Sequence, residues 1–202
     1  MCRWSRRWIG VLVWAWTVPV VSATLYQDLV ARGKYREAVR VVCKHYRLAC
    51  HKASFKVVAD DPDGNFAVTD LDGTISLSTG AFRHDSEPLP HAGWLGALIG
   101  HELVHVDQGT FRRIYSRTEQ IYAGNHYYVA AQELEGWGYM MDHARDFGLT
   151  YPMVRDIEMH REVFEWIVNH NGRPMNSTLP ANVAKNARLK AMVKSWGISP
   201  ED

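Results

Sequence analysis

The chain has 202 residues, 47% of them hydrophobic and 22% charged, which is enough for one domain with a real core and not obviously two. Its 23 Lys and Arg against 22 Asp and Glu give a formal charge of +1, so nothing argues for nucleic acid or an acidic membrane surface as partner. There is no internal repeat, low-complexity tract or second hydrophobic span.

Residues 1–23 read as a signal peptide. Arg3, Arg6 and Arg7 make a basic start, Trp8 to Val21 is almost wholly apolar, and Val21-Ser22-Ala23 offers small residues for cleavage. The apolar run is short for a membrane span. An uncleaved anchor helix is the alternative. Cleavage leaves 20 basic against 22 acidic residues, a formal charge of −2, on a periplasmic or secreted protein with no stable membrane insertion. It also leaves two cysteines, Cys43 and Cys50, an even number in an oxidising compartment. Seven residues of continuous helix would separate them by about 10.5 Å, too far for a disulfide. A bridge therefore requires a helix to end between them, and two free thiols are the alternative.

From Thr24 to about Cys43 the apolar residues recur at helical spacing, with Gly33 as an interruption, which fits a helical hairpin. The period then changes. Phe55 to Ala59, Phe66 to Thr69 and Thr74 to Ser78 read as strands, with Asp72-Gly73 as a hairpin turn. The acids Asp60, Asp61, Asp63 and Asp70 do not follow an EF-hand loop and read as turn chemistry. After a loop with Pro88 and Pro90, a helix is expected from His91-Ala92-Gly93 to near Gly109. A less regular helical piece follows over Phe111 to Gly124. Long helices are expected from Asn125 to about Phe147 and from Tyr151-Pro152 to Asn171-Gly172, and a last one over Thr178 to Trp196.

The chemistry lies in His101-Glu102-Leu103-Val104-His105. The run Gly93 to Gly100 before it is apolar and free of proline, as a buried helix requires. Histidines at i and i+4 lie about 5–6 Å apart at Cβ, and both can ligate one zinc ion. Glu102 is about 100° round the helix, so it is placed to act as general base and not as third ligand. The bland reading is two polar-face histidines and a solvated glutamate. A catalytic zinc needs one more protein ligand and an open position. Gly109 falls one place late for the metzincin pattern and Phe111 stands where its last histidine belongs, which excludes that class.

Gln132-Glu133-Leu134-Glu135-Gly136-Trp137 lies on the following long helix. With the histidine motif it resembles the gluzincins, the thermolysin-like group of zinc metallopeptidases, and is most similar to their minimal bacterial members. The resemblance covers about Phe55 to Phe147. It implies Glu133 as third ligand, with Glu135 as the competitor, since i and i+2 face different sides of a helix. The chain departs from the family where an acid is usual, because Trp137 stands there. The resemblance also implies a His or Tyr that polarises the substrate carbonyl, from among His126, His143, His160, Tyr127, Tyr128 and Tyr139. It implies a cleft edge at Thr74 to Ser78 that pairs with an extended peptide. Asp107 and Gln108 are candidates to orient His105 or line the cleft.

The expected fold is thus α+β, a small antiparallel sheet packed on a mostly helical, zincin-like domain over 24–202. It divides into a helical segment at 24–52, a catalytic core at 53–150 and C-terminal helices at 151–202. The expected function is an exported zinc metallopeptidase, with zinc on His101, His105 and Glu133 and a peptide or protein as substrate. A zinc-stabilised binding protein on the same scaffold and a zinc amidase acting on cell-wall material are the alternatives.

Overall fold

The computed structural model describes residues 23–60, 66–173, 178–196 and 198. The expected signal peptide, apart from Ala23, and the turn acids Asp61 and Asp63 lie outside them.

The first two helices, α1 (Ala23–Ala31) and α2 (Tyr35–His45), form the expected hairpin. The chain turns at Gly33, whose φ of 67° suits a residue without Cβ. Because α2 stops at His45, Cys43 and Cys50 come to 6.1 Å between Cα atoms and form a disulfide. Cys50 opens a 3-10 turn, Cys50–Lys52, that leads into the sheet.

The architecture is α+β, but the sheet is mixed, not antiparallel. Strands β1 (Ser54–Val58), β2 (Ala67–Thr69) and β3 (Thr74–Ser78) lie in the order β1-β3-β2. The Asp72-Gly73 turn makes β2 and β3 an antiparallel hairpin, as expected. Strand β1 instead pairs parallel to β3, with Phe55 opposite Ile75 and Val57 opposite Leu77. The reason is apolar content. Ile75 and Leu77 are the fully buried pair, so β3 takes the middle and the other two strands become edges.

Helix α3 (Ala92–Asp107) carries the histidine motif and is central, with every residue from Gly93 to Leu103 buried. It is followed by α4 (Thr110–Ala123), a regular helix and not an irregular piece. Next come α5 (Tyr127–Asp142), ending well before Phe147, and α6 (Tyr151–Asn169). The expected single last helix is two, α7 (Ala181–Ala184) and α8 (Ala187–Ser195). Asn186 breaks it, because its Oδ1 accepts from the backbone N–H groups of Arg188 and Leu189 and caps a new helix.

Two hydrophobic cores result. The first joins α1, α2, β3 and α3 to Met140, Met153 and Ile157, and the second joins Ala130, Val163, Phe164 and Ile167 to Leu179, Val183, Leu189 and Val193. Helices α5 and α6 run through both, and Trp137 packs against both.

Candidate metal centre

His101 and His105 project from one face of α3 as their spacing requires. Their Nε2 atoms lie 3.0 Å apart. Glu133, one helix over on α5, places Oε2 3.3 Å from Nε2 of His101 and Oε1 3.5 Å from Nε2 of His105. Two donors about 2.0–2.1 Å from a tetrahedral zinc are separated by roughly 3.3 Å, so these spacings fit one ion among three ligands. Both imidazoles are buried, and the glutamate side chain is 26% exposed, which leaves one side of the group open. Among the described residues no other cluster of His, Cys, Asp and Glu donors converges in this way. A His, His, carboxylate set is the open, catalytic kind of zinc site.

Glycine makes the close approach of α3 and α5 feasible. A Cβ on Gly136 would stand 2.7 Å from Cε1 and 2.8 Å from Nδ1 and Nε2 of His101, so the ring lies directly on the α5 backbone. Gly100 does the same for the ring of Tyr139. Glu135 is not in the donor group. Its carboxylate is held by Arg112 and by the Nε2 amide of Gln108, at 2.8 Å for the latter. Oε1 of Gln108 accepts from Nδ1 of His105 at 2.9 Å, which leaves Nε2 of His105 turned to the donor group as the ligand atom. Of the two residues after the motif, Gln108 therefore orients His105, whereas Asp107 pairs with Lys52 on the outside.

His101 has no such support. Trp137 meets its ring edge-on at 4.9 Å between centroids, and Nδ1 of His101 has no hydrogen-bond partner among the described residues. The electrostatics follow. Burial works against a charge on Glu133, but His105 and His101 hold its carboxyl well below the usual range. Burial also works against a charged His105, yet Glu133 beside it, with Glu102 and Gln108, lifts it to about 9 in the metal-free chain.

Glu102 is buried beside this group. The hydroxyl of Thr69 donates to its Oε2 at 2.6 Å, so the edge strand β2 fixes the general-base candidate. Arg113, also buried, donates to the carbonyls of His105 and Leu71 and ties the end of α3 to the β2–β3 turn. Thr69, Arg113 and Gly136 were not among the sequence candidates. Only Gly136 left a signal, a glycine inside a helical run.

A cleft of about 310 Å³ opens over the donors, with β2 on one side and Leu189, Met192 and Trp196 on the other. Its sheet wall is β2 and not the strand at Thr74 to Ser78, because β3 is paired on both sides. Of the candidate polarising residues, His160 lines the cleft. Its ring stacks on Trp137 at 4.1 Å, and its Nδ1 lies 2.8 Å from the Asp156 carbonyl and 3.6 Å from the Asp156 carboxylate. His84 approaches that carboxylate from the far side at 3.6 Å. The other candidates stand elsewhere. His126 bonds Gln120, His143 bonds Asp146, Tyr139 packs on Gly100, and Tyr127 and Tyr128 are surface residues.

Compared with protein-family models, with curated proteins and with solved structures, the chain finds no match in any of the three.

Proposed function

We propose that the chain is an exported zinc metallopeptidase. The observation that carries the reading is the convergence of His101, His105 and Glu133 within ligand distance of one another at the floor of a cleft. A zinc ion held by those three residues supplies Lewis acidity towards a peptide carbonyl and towards water. Glu102 takes the proton of the attacking water and passes it to the leaving amine. Thr69 occupies Oε2, so Oε1 is the oxygen that moves the proton. His160, whose Nδ1 donates to the Asp156 carbonyl and which burial holds in the neutral form, leaves Nε2 as an acceptor for a substrate N–H.

Strand β2 supplies the means to hold a peptide extended. The bonds from Ser78 N–H to the Phe66 carbonyl and from Asp70 N–H to the Thr74 carbonyl fix its parity. The backbone groups of Ala67 and Thr69 therefore face the open edge, where an incoming strand can pair. Residues 1–23 provide the route out of the cytoplasm, and the Cys43–Cys50 bridge accords with an oxidising destination.

The test is zinc content by elemental mass spectrometry, followed by turnover of peptide libraries. About one zinc per chain is expected, with hydrolysis that disappears in Glu102→Gln. A protein that takes up no zinc, or a zinc-loaded Glu102→Gln that cleaves at the wild-type rate, would remove this reading.

A further inference from the structure

Helix α4 is built inside out. Its buried residues are Arg113 and Ser116, while Phe111, Ile114, Tyr115, Ile121 and Tyr122 stand 84%, 45%, 43%, 70% and 85% exposed. At about 100° per residue those five form a stripe some 120° wide, centred opposite the buried polar face. The inner face is anchored by polar contacts: Ser116 accepts from Gln132, and Arg113 donates to the carbonyls of His105 and Leu71, although its Nε has no hydrogen-bond partner among the described residues. The outward stripe is thus the outer face of a docked helix, and within the chain Tyr115 meets the ring of Tyr128 edge-on at 5.0 Å. A monomer rarely leaves so continuous a patch in water.

The spacing of the stripe, at 111, 114, 115, 118, 121 and 122, is that of a helix-packing seam. It is also complementary to itself. Set antiparallel in the usual a-to-d register, Phe111 meets the second copy's Ile121, and Ile114 meets its Thr118. Two-fold symmetry repeats each of these contacts at the other end of the seam. Covering the five side chains and their rim on both copies removes roughly 1,000 Å² from water, the size at which specific interfaces begin. We propose that α4 is the seam of a homodimer, two copies of this chain packed antiparallel through the Phe111–Tyr122 stripe. The dimer places each centre beside its own half of the seam, since Arg112 on the flank also grips Glu135 behind His105.

The test uses the full chain and its mass by multi-angle light scattering across the micromolar range. Wild type is expected at twice the chain mass. Phe111→Lys and Ile121→Glu are each expected to be monomers, with circular dichroism unchanged because both sites face solvent. Mixing those two variants should restore a dimer, because Lys from one faces Glu from the other while the second contact stays native. Ile114→Lys with Thr118→Glu asks the same question at the next layer, should either first variant misfold. A wild-type monomer overturns the proposal. So does a dimer indifferent to these substitutions, and so does a pair of monomeric variants that fails to recombine. A monomer that sediments with phosphatidylglycerol vesicles, and loses them in Phe111→Lys, overturns it in favour of a lipid surface.

Discussion

Oε1 of Gln108 lies 2.9 Å from Nδ1 of His105, one turn further along the chain, and holds the Nδ1 proton, so Nε2 is the nitrogen free to give up its proton to a metal. Glu133 and Glu135 therefore have separable roles although they are two residues apart. Glu133→Gln is expected to lose stoichiometric zinc. Glu135→Gln or Gln108→Leu is expected to keep one zinc per chain with affinity about 10–100-fold weaker. Chelator competition with a zinc indicator checks both, and equal affinity in Glu133→Gln would reverse the assignment.

Glu102→Gln preserves the shape of the side chain and the hydrogen bond from Thr69, and removes the site for the proton. Zinc content should be unchanged, and kcat should fall by about 10²–10⁴-fold, the usual contribution of a positioned general base. Single-turnover cleavage of a fluorogenic peptide by the loaded protein measures it.

Metal uptake should release a proton. In the metal-free chain His105 is lifted to about 9, above its ordinary value of 6.5. The stability it contributes is full below pH 6.5 and is lost as pH rises towards 9. Glu133 is lowered, so its contribution is present above its ordinary value and is lost in acid. At pH 7.5 the apo His105 is protonated, and zinc must displace that proton. Calorimetry in buffers of different ionisation enthalpy should report about one proton released per zinc near pH 7.5 and fewer above pH 9.

Gly136→Ala places a methyl group against the His101 ring, whereas a Cβ on Gly138 meets nothing within 4 Å. The first should cost about 1–3 kcal/mol of stability and weaken zinc binding. The second should stabilise α5 by roughly 0.5–1 kcal/mol. Thermal unfolding of the apo and loaded forms compares the two, and similar melting temperatures would show that the ring has room to move.

The Cys43–Cys50 bridge closes a short loop between α2 and the sheet. Replacing both cysteines by serine should lower stability by about 2–3 kcal/mol. Urea unfolding gives the change in midpoint, and reduced wild type should match the double variant.

The motif helix was legible because its apolar run and the i, i+4 histidines carry their own geometry. The α+β class was legible because the period switches from 3.6 to 2 near Phe55 and back near Gly93. The helix break that a Cys43–Cys50 bridge requires was likewise visible, with two free thiols left open as the alternative. Pairing partners were not. Alternation marks β1, β2 and β3 as strands, but it takes the burial of Ile75 and Leu77 to put β3 in the middle and β1 parallel to it. His160 could not be told from His126 or His143, because what separates them is Asp156 and Trp137, contacts made across helices. Asn186 was overlooked as a cap because it follows Pro180 within one apparent helical run. The outward turn of α4 was not legible, because Phe111 to Gly124 read only as a less regular helical piece, and it takes the packing of Gln132 on Ser116 to show which face turns inward.

Helices α5 and α6 thread both cores, while the donors sit on α3 and α5 and the far wall of the cleft on α8. Melting the first core scatters the donors, and melting the second removes the far wall of the cleft. Under the peptidase reading, a partly melted copy is silent and not merely sloppy.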